Sequence, residues 1–212
     1  MSDLFYRVVV KTCSQIGHVA TRPRVVGREH AERPGGYLLA TNHTSPMDVP
    51  VLMYTTPRLI DFVSVVEVMG VPVVGAFYRR FNTITLDRGR VDAAAVRTIV
   101  SRLRAGRVVC MFPEGRITPE AESVTRGGTH RAGLGRVARL AGVPVLPAVV
   151  LDSHRMTRPA AWLPTRRSRF TVAYGEALHV REDLPPREAQ RDLEARWRDA
   201  LRRLAERHEQ GR

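Results

Sequence analysis

The 212 residues, 43% hydrophobic and 26% charged, suffice for one domain with a proper core, and the balance excludes a mainly disordered chain. Two cysteines, Cys13 and Cys110, exclude a disulfide framework, and no Cys/His pair has zinc-finger spacing. Basic residues outnumber acidic ones by 34 to 21, and the formal net charge of +13 predicts attraction to polyanions: nucleic acid, an anionic membrane surface or phosphorylated substrates.

No stretch reaches the roughly 20 apolar residues that span a bilayer. The longest, Ala141 to Leu151, is far shorter and holds two prolines. Arg7 and Lys11 interrupt the apolar N-terminus, which argues against a signal peptide. Residues 3–20 read as an amphipathic helix, with Leu4, Val8, Thr12, Ile16 and Val19 at steps of three and four and Phe5 and Val9 beside them. Such a stripe packs on a core or lies shallowly in a membrane surface, and Tyr6 fits an interface.

Beyond Arg22-Pro23 the pattern alternates. Val25-Val26 and Tyr37 to Thr41 read as strands around a Pro34-Gly35-Gly36 turn. Ser45 is placed to cap a helix and Pro46 to open it, so His43 falls in a strand-to-helix turn and Asp48 in the first helical turn. Strands follow at Ile60 to Val66, Thr83 to Leu86, Val108 to Phe112, Val143 to Leu151 and Arg169 to Tyr174. Val71 to Phe81 is apolar. Helices are expected over 91–104, 129–141 and 187–208. In the last, Leu193, Trp197, Ala200, Leu201 and Leu204 line one side, and Glu194–Arg198 and Asp199–Arg203 are spaced to pair. Strand–helix alternation implies a single-domain α/β sandwich around a mixed, largely parallel sheet. The expected divisions are an N-terminal helix (1–22), a central domain (23–185) and a charged C-terminal helix (186–212). The loop 152–168, with Arg155, Arg158, Arg166, Arg167 and Trp162, is the expected surface-binding insertion.

The sharpest chemical feature is His43 with Asp48, five positions apart across a turn. A carboxylate on one ring nitrogen fixes the tautomer and steadies the imidazolium, leaving the other nitrogen to take a proton from a substrate hydroxyl. Phe112-Pro113-Glu114-Gly115 also follows a buried strand, and α/β folds place their sites at strand ends. There is no Gly-x-Ser-x-Gly elbow and Cys110 lies within a strand. The expected reaction is therefore direct transfer to an activated hydroxyl, without a covalent enzyme intermediate.

Asn42-His43-Thr44-Ser45-Pro46-Met47-Asp48 resembles the first motif of the glycerolipid acyltransferases, the superfamily of 1-acylglycerol-3-phosphate acyltransferases. Asn82-Thr83-Ile84-Thr85-Leu86-Asp87-Arg88 resembles the second, Phe112-Pro113-Glu114-Gly115 the third, and Val143-Pro144-Val145-Leu146-Pro147-Ala148 the fourth. They occur in family order over about residues 37–150. The resemblance implies that His43 is the base and Asp48 its orienting partner. It implies that Asn42, Arg88, Glu114, Gly115 and Arg116 serve the acceptor site, with Arg88 on the acceptor's phosphate, and that Pro147 is structural on the donor side. Acyl-CoA or acyl-carrier protein is the implied donor, a lysophospholipid the acceptor, and no metal or prosthetic group is implied.

This sequence departs from the family pattern in places. Arg116 follows Gly115 directly, one place earlier than the usual third-motif arginine. Asn82 stands where glycine is usual and Thr85 where an aromatic is common. Val65-Val66-Glu67 lacks the lysine many members carry ahead of the glutamate. Lysophosphatidate is the default acceptor, with another lysolipid or a glycolipid as the alternative. His130 is expected as a solvated helix-start residue, and Arg126 and Arg131 as solvated or ligand-facing. The rivals are a nucleic-acid-binding module, for which no motif or aromatic–basic stripe is present, and an inactive lipid-binding scaffold, against which intact His43, Asp48 and Glu114 argue. The charge and the 3–20 stripe point to a peripheral protein of the cytoplasmic membrane face, with an anionic surface and no nucleic acid as partner.

Overall fold

Strands that are apolar along their whole length, such as Tyr37-Leu38-Leu39-Ala40, belong in a sheet covered on both faces. The computed structural model describes residues 3–69, 81–87, 89, 92–157 and 168–210. Its strands are β1 (Thr21–Val26), β2 (Tyr37–Thr41), β3 (Ile60–Val65), β4 (Ile84–Leu86), β5 (Val108–Met111), β6 (Val145–Leu151) and β7 (Ser168–Tyr174). Its helices are α1 (Asp3–Ala20), α2 (Arg28–Ala31), α3 (Asp48–Thr55), α4 (Val66–Met69), α5 (Ala93–Arg104), α6 (Leu134–Ala141) and α7 (Pro186–Gln210).

The seven strands form one sheet in the order β1-β7-β6-β2-β5-β3-β4. Among the described strands only the β6–β7 pairing is antiparallel. The expected mixed, largely parallel α/β sandwich is what the chain adopts. Leu39 of β2 sits opposite Cys110 of β5 on one side and Leu146 of β6 on the other. Side chains alternate between faces. Tyr37, Leu39, Val108 and Cys110 join a core with α3 and Tyr6, while Leu38, Ala40 and Val109 join one with α5, α6 and α7. Each large apolar side chain so buried is worth about 1.5–3 kcal/mol.

The terminal helices are part of this core. Trp197, Leu193 and Leu201 of α7 are fully buried, and the Trp197 indole N–H donates to the Ala40 carbonyl at 3.1 Å. The C-terminal helix therefore braces the strand that carries His43. On α1 the buried residue is Tyr6, whose hydroxyl donates to the Ile60 carbonyl at 2.9 Å, with Val9 and Val10 partly buried beside it. Of the stripe read from the sequence, Leu4, Phe5 and Val8 face the other way and are 69%, 44% and 55% exposed. An ion cluster ties α1 to the far end of the sheet. Fully buried Asp61 takes both forks of Arg107 at 2.6 Å and Arg102 at 2.8 Å, and Arg107 also reaches Asp3. The Arg107 guanidinium holds the Asp3 carboxyl below its ordinary range against the opposing effect of partial burial.

Several boundaries differ from expectation, most by one or two residues, and three bear on the site or its surroundings. Helix α3 starts at Asp48, not at Pro46, because Ser45 to Met47 form a turn in which the Asp48 amide bonds to the Ser45 carbonyl. Helix α6 starts at Leu134, not at 129, because Gly133 has φ +130° and the Glu194 carboxylate accepts the Gly133 and Gly135 amides at 3.0 and 3.1 Å. The strand at 60 stops at Val65 and passes into α4. The apolar run 71–80, Arg88, and the stretch 158–167 with Trp162, Arg158, Arg166 and Arg167 lie outside the described residues.

Candidate active site

The site lies where three neighbouring parallel strands end. The carboxyl end of β2 leads to Asn42-His43, that of β5 to Phe112-Pro113-Glu114-Gly115, and that of β6 to Asp152-Ser153. Successive strands depart to opposite sides of β2, since β3 lies beyond β5 while β6 lies on the other flank. In open α/β sheets such a reversal opens a crevice above the strand ends.

His43 Nδ1 is 3.0 Å from Asp48 Oδ2. Asp48 is fully buried, and the same Oδ2 accepts the Thr44 and Ser45 backbone amides at 2.8 and 3.0 Å. Its other oxygen, Oδ1, accepts the hydroxyl of Ser153, which is also fully buried. A carboxylate oxygen accepts, so Nδ1 is the donor of the pair, and in the neutral imidazole Nε2 then carries the lone pair. Among the described residues Nε2 has no partner. The imidazole is stacked on Phe112 at 4.1 Å and 23°, and the Thr118 amide donates to the His43 carbonyl at 2.8 Å. These two contacts join the 42–48 turn to the 112–118 loop. The histidine side chain keeps 16% exposure, so the imidazole is held firmly and still reachable.

The other expected site residues divide. Asn42, expected at the acceptor site, is bonded within the fold. It is 1% exposed and both ends of its amide are engaged by the backbone of one residue: Nδ2 donates to the Val150 carbonyl at 2.9 Å and Oδ1 accepts the Val150 amide at 2.8 Å. It thus extends the β2–β6 ladder by one rung and fixes the start of the turn. Glu114 is buried as well. Its Oε1 accepts the Ser123 hydroxyl at 2.7 Å and the Val124 amide at 3.2 Å, which folds the 114–128 segment back over the strand ends. Gly115 has φ +70°, and a Cβ there would lie 2.6 Å from Arg131 Nε. Any side chain at 115 would displace that guanidinium.

Arg116 is turned outward: its side chain is 70% exposed and pairs with Glu122 at 3.7 Å. Arg131 instead lies against Gly115, and its backbone amide bonds to the Pro113 carbonyl at 2.8 Å. Arg88 lies outside the described residues. Arg126 sits 3.8 Å from Glu120 on the surface. His130 is not solvated: its ring packs edge-on against Trp197, and Nε2 is 3.6 Å from Glu194. Glu194 consequently serves the start of α6 and His130, not Arg198 as the spacing suggested. Burial works to raise its carboxyl, but the bonds from His130, Gly133 and Gly135 prevail and hold it below its ordinary range. Cys110 is wholly buried and burial pushes its thiol well up, so it stays protonated and supplies no nucleophile.

The profile of the acyltransferase family matches residues 22–151, which is 130 of the 212 residues and includes His43, Asp48 and Glu114. The chain belongs to the acyltransferase family. It is 25% identical over 126 residues to a 1-acyl-sn-glycerol-3-phosphate acyltransferase of Bacillus subtilis, covering 59% of this chain and 60% of that protein. The Neisseria gonorrhoeae protein of the same description is 32% identical over 93 residues, covering 43% of this chain and 36% of its own length. The fold matches the crystal structure of the 1-acyl-sn-glycerophosphate acyltransferase PlsC of Thermotoga maritima with a TM-score of 0.68 at 20% identity, covering 97% of this chain and 84% of that one. The chain spans about half to three-fifths of the length of the curated relatives first matched.

The motifs of this acyltransferase domain mark His43, Asp48 and the 112–115 turn, but they do not mark Ser153. It lies in the segment taken for a loop, where residues Ser153–Thr157 form a short 3-10 turn. The available signal was weak: a hydroxyl residue just past the strand that pairs with β2. Phe112 was read as part of a motif, not as the surface on which the imidazole rests.

Proposed function

We propose that this chain is an O-acyltransferase that moves a fatty acyl group from a thioester, acyl-CoA or acyl-carrier protein, to the free hydroxyl of lysophosphatidate. The observation that carries the reading is the His43–Asp48 pair, with Nδ1 fixed by a buried carboxylate and Nε2 unpartnered among the described residues. In this reading Nε2 takes the acceptor's hydroxyl proton as its oxygen attacks the thioester carbonyl. Asp48 steadies the imidazolium. Collapse of the tetrahedral adduct expels the thiolate, which regains the proton from His43. This reading calls for no metal or prosthetic group. Arginine suits the acceptor's phosphate because its planar fork binds two oxygens at once.

The test is an acceptor panel scored by thiol release. Lysophosphatidate is expected to give the highest kcat/KM among lysophospholipids and a glycolipid. A preference for an acceptor without phosphate would overturn lysophosphatidate and leave acyl transfer standing.

The same reading places the protein on the cytoplasmic membrane face as a peripheral protein. No helix among the described residues is long and apolar enough to cross a membrane. The outward Leu4, Phe5 and Val8 of α1, with Arg7 and Lys11 on the same helix, and the net charge of +13 support a shallow contact with anionic lipid. Cosedimentation with anionic vesicles is expected to weaken as salt rises, since exposed charge is screened over about 8 Å at physiological ionic strength. Replacing Leu4, Phe5 and Val8 by serine is expected to weaken it further. Equal binding to neutral vesicles at low salt would contradict the electrostatic part, and unchanged binding of the triple variant would contradict the contact by α1.

A further inference from the structure

We infer that Ser153 is a positioning residue for catalysis, fixing the rotation of the Asp48 carboxylate and through it the imidazole of His43. This inference rests on the reading of His43 and Asp48 as the catalytic pair.

The bonds to Asp48 are unequally divided. Oδ2 accepts three: His43 Nδ1–H, the Thr44 amide and the Ser45 amide. Oδ1 accepts the Ser153 hydroxyl. Carboxylate χ2 is a broad, roughly two-fold torsion, so the backbone amides alone leave the plane of the group loosely set. A donor on the far oxygen fixes it. Because Asp48 and Ser153 are both fully buried, water cannot readily replace that donor.

The backbone aims Ser153 at Asp48 at some cost. Asp152, directly before it, adopts φ +64°, a left-handed conformation uncommon for any residue but glycine. That residue is held by an arginine and packed beside a histidine. Arg155 Nη2 pairs with Oδ1 at 3.2 Å, and His208 Nε2, from the last turns of α7, lies 3.6 Å from Oδ2. The Arg155 amide closes the turn on the Asp152 carbonyl at 3.2 Å. Left-handed non-glycine residues persist where surrounding structure over-determines them, and they cluster at functional sites. Here the kink turns the chain off β6 and delivers a hydroxyl to the buried carboxylate. Asn42 clamps the same strand at Val150, so the β2 and β6 ends are locked together on either side of the pair.

The experiment is a mutant cycle in the full chain with acyl-CoA and lysophosphatidate. Ser153→Ala is expected to lower kcat by about ten- to a hundredfold, the worth of one hydrogen bond to a charged group, with KM for both substrates changed less than about twofold. Added to His43→Ala, Ser153→Ala is expected to cause no further fall, because its effect passes through the imidazole. A merely structural role would lower both backgrounds alike. Thermal unfolding of each variant checks the fold. If the alanine variant does not fold, Ser153→Cys, which keeps the shape and offers only a weak S–H donor, carries the same comparison. Wild-type kcat in Ser153→Ala, or an equal loss in the His43→Ala background, would overturn the inference alone. Near-wild-type activity of His43→Ala would instead overturn the reading of the site, and this inference with it.

Discussion

His43→Ala is expected to lower turnover by about 10²- to 10⁴-fold, the usual worth of a positioned general base, with little loss of thermal stability. The small stability cost follows from the location. His43 stands beyond the end of β2, and its side chain contributes a stacking contact with Phe112 and one bond to Asp48, not a share of either core. Asp48→Asn is expected to cut turnover strongly as well. An amide at 48 carries no charge to steady the imidazolium and keeps only one accepting oxygen where the carboxylate has two for its four donors. Unlike His43, Asp48 is buried among four donors, so its variants are also expected to unfold at lower temperature. Steady-state rates and thermal melts of the two variants check both statements. More than about a tenth of wild-type turnover in His43→Ala would remove it as the base.

The second large effect concerns the acceptor's phosphate. Arg88→Ala is expected to raise KM for lysophosphatidate by about ten- to a hundredfold, the worth of a charge-assisted contact, and KM for the acyl donor much less. The family resemblance also implies Arg116 at the acceptor site. Its exposure and its pairing with Glu122 now argue that Arg116→Ala changes KM little. Arg131 is better placed, because it lies on Gly115 and its backbone is tied to Pro113. Arg131→Ala is expected to exceed Arg116→Ala in its effect on the acceptor. Unchanged acceptor kinetics in both Arg88→Ala and Arg131→Ala would place the anion pocket elsewhere.

How far the sequence revealed these features depends on the range of the interactions. The β2, β5 and β6 ends were legible because fully apolar strands between turn residues are a local pattern, and the motifs sit directly after them. The orientation of α1 was not. Periodicity identifies an apolar stripe but not which way it faces, and Tyr6 takes the core side through a bond to Ile60, 54 positions away. The start of α6 was misplaced for a similar reason, since its amides are capped by Glu194 from another helix, 61 positions from Gly133. Ser153 reaches Asp48 across 105 positions, through the pairing of β6 with β2 and a left-handed residue that no composition rule marks. Charge counting was least informative at Arg116. Arg116 and the next residue, Ile117, are both exposed, a property of this loop that the motif does not mark.

The most direct test of the account supplies acyl-CoA and lysophosphatidate to the wild-type chain and to His43→Ala, with lipid products read by mass spectrometry and thiol release followed in parallel. The account predicts phosphatidate from the wild type, one thiol released per ester formed, no thiol release when lysophosphatidate is omitted, and both signals nearly lost in the variant. Free fatty acid and thiol released at the same rate with or without lysophosphatidate, or phosphatidate formed undiminished by His43→Ala, would contradict it.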